Sequence, residues 1–195
     1  MKSKMPCCIL LTVTIILSGC ATKNEITNTT LEIKKDGTLE QSIIETFEKD
    51  YYDATELQEM IESEISDFNL TDGSEKIQLK EVELKEDAAY PVLTYGDAAS
   101  YAEFNDVTFF YGTIAQAYEE GFDLTINLTS VKDNEEIDKD DILQMGDHYF
   151  VIAEESIVIE TFHNIEYISG NVTLNGKKEA MVTTQDGELA YIIFK

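Results

Sequence analysis

Cys20 is the residue whose surroundings define its chemistry best. It closes the run Leu17-Ser18-Gly19-Cys20, which follows an eleven-residue apolar stretch, Cys7 to Leu17, behind Lys2 and Lys4. A basic segment, a short apolar segment and small residues at a cleavage point are the parts of a secretory leader. The last four residues have the pattern of a lipobox, which places the cut between Gly19 and Cys20. The chemistry expected is a thioether from the Cys20 sulfur to diacylglycerol with palmitate-type chains. The apolar run is roughly half of the ~20 residues that a spanning helix needs. The alternative is an ordinary secretory signal whose cleavage site happens to end in cysteine. Each buried methylene stabilises the membrane-bound state by about 0.8 kcal/mol, and two chains anchor stably.

The other reactive side chains are sparse. The three cysteines are Cys7, Cys8 and Cys20. The first two leave with the leader and the third carries lipid, so the mature chain holds no free thiol and no disulfide. Thiol catalysis and thiolate metal sites are thereby excluded. His148 and His163 are the two histidines. Their spacing matches no His-Glu-x-x-His motif, and a structural or surface role is expected for both. The run Asp133 to Asp141 was tested as a Ca²⁺ loop. Ile137 and Asp138 spoil the register from Asp133, and Leu143 spoils the register from Asp138. A solvated acidic loop is the better reading. There is no P-loop, no Gly-x-Gly-x-x-Gly and no nucleophile elbow; Ser169-Gly170 reads as a turn. No catalytic residue, metal or cofactor is assigned. Ten tyrosines, including Tyr51-Tyr52, allow an aromatic binding patch, although core packing explains them at least as well.

Charge narrows the partners. The chain carries 39 acidic residues against 14 basic ones, a net charge of −25. Every basic residue is lysine. Loss of Lys2 and Lys4 with the leader makes the mature chain more negative still. Nucleic acid, which demands a basic footprint, is excluded as a partner. Flat docking on an anionic membrane surface is opposed by repulsion within a Debye length of about 8–10 Å. The expected attachment to the membrane is therefore the N-terminal lipid alone. Solubility is the plain explanation of the acidity.

The elements that follow must position whatever works. Residues 1–19 read as the lipoprotein signal peptide and residues 20–30 as a lipid-anchored tether. Ala21 to Thr30 is polar and aperiodic and reaches at most about 33 Å. Residues 31–195 read as a single extracytoplasmic α+β domain, with two small lobes as the alternative. A domain near this size buries roughly 70% of its unfolded surface, enough for one core.

Asp36-Gly37 between Leu31-Glu32-Ile33 and Leu39 to Ile44 predicts an N-terminal hairpin. Asp53, with Glu56 three residues on, caps one amphipathic helix. Tyr52 and Leu57 staple its start. Leu57, Met60, Ile61, Ile65 and Phe68 share one face to about Asn69. A strand from Lys76 to Lys85 changes parity between Leu79 and Val82, as a bulge would cause. Val92 to Tyr95 forms the next strand, and Asp97 caps a short helix to Phe104.

Val107 to Tyr118 fits either one long helix or a strand followed by a helix. Gly112 and the β-rich residues before it favour the second, with Thr113 as cap, Gln116 at N3 and Gly121 as the stop. Beyond Gly121 strands dominate: 124–131, 149–153, 157–161, 165–168, 172–174, 180–183 and 189–194. Asn175-Gly176 and Asp186-Gly187 supply hairpin turns. The fold class expected is α+β, with short central helices and a C-terminal antiparallel strand meander.

Three inner segments carry a resemblance: Tyr51-Tyr52-Asp53 leading into the helix, Tyr101-Ala102-Glu103-Phe104-Asn105, and Tyr111-Gly112-Thr113 ahead of Ala117. With the lipobox, they make the mature stretch similar to an uncharacterised group of lipoproteins from low-GC Gram-positive bacteria. The resemblance implies a cell-surface lipoprotein on the extracytoplasmic face of the cell membrane and brings no site residues. The expected role is a binding or accessory module with an envelope protein or glycan partner. An envelope glycan hydrolase using paired carboxylates is the alternative. A two-lobed solute-binding protein is disfavoured, because each lobe alone takes about 100 residues or more. Unfolding of the fragment Leu31 to Lys195 is expected to be cooperative, with a denaturation midpoint that does not move on adding reductant. A reductant-dependent midpoint contradicts the cysteine assignment.

Overall fold

Alternating side chains set the first sheet. A computed structural model describes residues 28–46, 54–85, 88–185 and 187–195. The cleavage point Gly19-Cys20, Tyr51-Tyr52 and the cap Asp53 lie outside the described residues. Strand β1 (Thr30–Ile33) points Leu31 and Ile33 inward, and β2 (Leu39–Ser42) answers with Leu39 and Gln41. The two pair antiparallel, Ile33 opposite Leu39 and Leu31 opposite Gln41. Gly37 turns the chain at φ 91°, a conformation that side chains with a Cβ resist. Asp36 braces that turn by accepting from the Thr38 hydroxyl at 2.7 Å.

Next come β3 (Glu45–Thr46), α1 (Ala54–Asp72), β4 (Ile77–Lys85) and β5 (Ala88–Tyr95). β5 takes β2 and then β3 along one edge and β4 along the other. The gap between β2 and β3 falls opposite Pro91, which has no amide hydrogen for a ladder. The β4–β5 register slips between Leu79 and Glu81, the bulge that the parity change marks.

The chain continues through α2 (Ala98–Asn105), β6 (Phe109–Thr113), α3 (Ile114–Glu119), β7 (Leu128–Ser130), β8 (Glu136–Ile137) and α4 (Lys139–Gln144). Six strands complete it: β9 (Tyr149–Ala153), β10 (Val158–Glu160), β11 (Ile165–Ile168), β12 (Val172–Leu174), β13 (Glu179–Val182) and β14 (Ala190–Phe194). Among the described residues this is a mixed fold of four helices, three of them short, and two sheets. The first sheet runs β12-β13-β10-β1-β2-β5, flanked by β3 and β4; the second runs β6-β9-β14-β11-β7-β8.

The expected C-terminal meander is corrected by this topology. β10 runs parallel to β1 in the first sheet, while β9, β11 and β14 belong to the second. The connections 154–157, 161–164 and 169–171 look like hairpin loops in the sequence. Instead they step between layers that pack about 10 Å apart. Buried Thr161 and Ser169 serve two of these crossings. The Thr161 hydroxyl donates to the His163 carbonyl at 2.7 Å, and the Ser169 hydroxyl accepts from the Tyr191 amide at 2.8 Å. Gly187 likewise lies between β13 of the first sheet and β14 of the second, which do not pair as a hairpin, while Asp186 lies outside the described residues. Asn175-Gly176 opens a wider β12–β13 loop, closed by the Asn175 amide on the Glu179 carbonyl at 2.9 Å.

Two apolar clusters hold these layers. Between the sheets lie Leu31, Ile33, Leu93 and Ile159 from one and Val151, Ile192 and Phe194 from the other, joined by Ile65 of α1 and Tyr101 of α2. The far face of the second sheet presents Phe150, Ile152 and Ile193 to Ile114 and Ala117 of α3, Leu124 and Ile142 of α4. β9 and β14 are buried on both faces, which is why they read as continuous apolar runs. Phe194 is fully buried against Tyr149 and Phe162, with ring centroids 5.2 Å from each. Phe194→Ala is expected to cost about 3–5 kcal/mol, read by urea denaturation; a loss below ~1 kcal/mol contradicts this account of the core.

Candidate functional site

The residue that the sequence marks for chemistry, Cys20, lies outside the described residues, so the structure bears on the expected tether only through how Thr29 and Thr30 are held. Thr29 already belongs to the first sheet. Its carbonyl accepts from the Val158 amide at 3.1 Å, and its hydroxyl accepts from the Ile44 amide at 3.3 Å. β1 then lies between β2 and β10. The end nearest Cys20 is therefore held inside a sheet, on both sides.

The histidines are not brought to a shared site. His148, mostly buried, sets Nδ1 3.6 Å from an Asp147 carboxylate oxygen and Nε2 3.4 Å from a Glu166 oxygen. Its Nδ1 has no hydrogen-bond partner. His163 is exposed beside Phe162, ring centroids 4.8 Å apart. Among the described residues no three His, Cys, Asp or Glu side chains converge to hold a metal ion. The acidic run 133–141 is partly ordered by its own carboxylates. Asp138 caps α4, accepting from the Asp140 and Asp141 amides at 2.9 and 3.3 Å. Asp141 completes a capping box. The sequence reading missed α4, although Asp138-x-x-Asp141 was its signal.

Most tyrosines serve packing. Among the described tyrosines Tyr118 is the exposed one. Tyr95 and Tyr101 are fully buried and meet edge to face at 5.0 Å. The Tyr95 hydroxyl donates to Gln41 at 2.6 Å, Asn105 donates to Tyr95 at 3.3 Å, and Tyr101 donates to Glu155 at 2.5 Å. Burial pushes the Tyr95 phenol up to about 12. Burial and the neighbouring Glu155 carboxylate raise Tyr101 further in the same direction. Both stay neutral donors at physiological pH, and the network pins α2 to β2 and β5.

Two concavities border these elements. A cleft of about 650 Å³ lies between α1 and β4, lined by Glu62, Ile65, Leu70, Glu75, Ile77 and Leu79 among others. A second, of about 550 Å³, is lined by Glu103, Asp106, Thr108 and Glu154 beside the end of α2. In the second, Thr108 donates to Glu154 through its amide at 3.1 Å and holds that carboxyl below its ordinary value. Among the described residues no hydroxyl hydrogen-bonds to either imidazole, so no nucleophile–base pair is assembled.

The outward face of the first sheet carries a feature that the sequence conceals. Cross-strand register sets Glu40 opposite Glu32, Glu32 opposite Glu160, and Glu160 opposite Glu179. Four glutamates thus cross four adjacent strands in one row. Lys34 pairs with Glu32, and Lys80 pairs with Glu40 at 2.8 Å. Partial desolvation and the charges of Glu32 and Glu179 raise the Glu160 carboxyl above its ordinary 4.5, against the pull of Lys34 and Lys178. Like charges placed opposite one another destabilise a sheet.

A raised folded-state value means that Glu160 favours the fold fully below its unfolded value, and that this contribution fades as pH rises through the folded value. Glu160→Gln is therefore expected to raise stability at pH 7 by a few tenths to about 1 kcal/mol. The gap to the parent should close below pH ~4. Urea midpoints across that range check it, and identical midpoints at pH 7 contradict it.

Compared with protein-family models, curated proteins and solved structures, the chain matches none of the three.

Proposed function

We propose that this chain is a lipid-anchored lipoprotein of the cell surface, a binding or accessory module held on the extracytoplasmic face of the cell membrane by lipid on Cys20. One observation carries the reading: Leu17-Ser18-Gly19-Cys20 directly behind the apolar run Cys7 to Leu17 and the lysines Lys2 and Lys4. The resemblance to lipoproteins of low-GC Gram-positive bacteria belongs to the same proposal. So does the finer architectural reading, an N-terminal hairpin followed by one amphipathic helix; the β1–β2 pairing supports it. Among the described residues no helix is long and apolar enough to cross a membrane.

The partner proposed is an envelope protein or glycan. Thr30 follows Cys20 by only ten positions, so a sheet strand would begin within about 33 Å of the lipid. The lean inventory of nucleophiles favours binding over catalysis. A glycan hydrolase needs a general acid with a raised pKa in a concavity; the raised carboxyl among the described residues, Glu160, lies in the glutamate row of the first sheet and lines neither concavity, and Glu154 of the second concavity is held low. Cys20→Ala is expected to leave the protein in the medium or as uncleaved precursor, read by membrane fractionation and mass spectrometry of the amino terminus. Unchanged fractionation with membrane lipid refutes the anchor.

A further inference from the structure

From the cleft between α1 and β4 we infer that this face docks a lysine- or arginine-rich amphipathic segment of another protein. The inference deepens the binding-module reading and rests on it only for the existence of a partner.

Charge is the first argument. Besides Asp72 at its last position, α1 carries Glu56, Glu59, Glu62, Glu64 and Asp67 and no basic residue. Among the described residues no lysine pairs with any of these five carboxylates. The first sheet differs, because Lys34 and Lys80 answer Glu32 and Glu40 there. An acidic helix whose carboxylates no described lysine pairs presents a surface for a cation-bearing partner.

Apolar surface is the second. The helix spends only part of its apolar stripe on the core. Ile65 is buried, and Phe68 meets Phe104 edge to face at 5.5 Å. Met60 remains 53% exposed and Leu70 77% exposed. Leu70 borders the cleft, whose apolar lining also includes buried Ile65 and Ile77 and half-buried Leu79. Exposed Glu62 and Glu75 flank that lining.

Apolar anchors beside uncompensated acids are the complement of a helix that carries leucines on one face and lysines on the other. At about 1.5 Å per residue, a 19-residue helix offers roughly 28 Å of such surface. A second copy of this chain fits poorly, since both copies carry a net charge of −25. An anionic lipid surface is opposed by the same repulsion.

The test uses the full chain in detergent and a labelled synthetic peptide of leucines and lysines at helical spacing, read by fluorescence anisotropy. Saturable binding is expected. It should weaken about tenfold in Leu70→Ser and again in Glu62→Gln/Glu75→Gln. Thermal midpoints should hold, because those positions are exposed. A scrambled peptide of the same composition, which has no apolar face, should bind about tenfold more weakly. Equal affinity for Leu70→Ser, or for the scrambled peptide, overturns the inference. So does a chain dimer that Leu70→Ser abolishes, which would assign the cleft to a second copy. Membrane fractionation of the same variants separates the two claims. A parent chain that fractionates with membrane lipid but fails to bind the peptide sinks the docking face alone, whereas Cys20→Ala that spares peptide binding but leaves fractionation unchanged sinks the anchor alone.

Discussion

Burial of the second sheet on both faces is the constraint on which the rest of the molecule depends. β14 sends Ala190, Ile192 and Phe194 into the core between the sheets, and Ile193 into the core beneath α3 and α4. β9 divides Phe150, Val151, Ile152 and Ala153 in the same alternation. With no cysteine after Cys20, no covalent staple supplements this packing. A side chain lost from β9 or β14 weakens a core that two layers share, so these strands tolerate little change.

Because the apolar residues of the sheets are committed inward, the large negative charge must be carried on outer faces and helix surfaces. Two regions handle it differently. On the first sheet the register forces glutamates into a row, and lysines from β4 and the hairpin offset part of the repulsion. On α1 no lysine among the described residues pairs with Glu56, Glu59, Glu62, Glu64 or Asp67, and Met60 and Leu70 stay exposed. The first arrangement has a structural cause in strand pairing. The second has none among the described residues, which is the ground for the docking face proposed there.

The proposed anchoring and the proposed binding would place separate demands on the molecule. A tether leading into β1 enters a strand held by β2 and β10. A pull along it would load hydrogen bonds on both flanks of that strand together. The α1–β4 face stands at the other end of the first sheet's strand order, beyond β5. A partner there would not compete with the tether for the same strand.

Local chemistry was legible in the sequence wherever it is short in range. Thr113 with Gln116, Asp97 before α2, Asp36-Gly37, and the parity change after Leu79 each act within about four residues, and each is recovered in the geometry. The sequence also places every cysteine at or before Cys20 and sets the sign of the charge. Tertiary structure decided everything that depends on which strand lies beside which. The loops 154–157, 161–164 and 169–171 look like hairpin links but carry the chain between sheets. The glutamate row joins residues as distant as Glu32 and Glu179. Hairpins and crossovers can use loops of the same length, and side-chain alternation reports which residues face inward but not which neighbour they face. Strand pairing is settled by the packing of the two shared cores, a property of the whole chain at once.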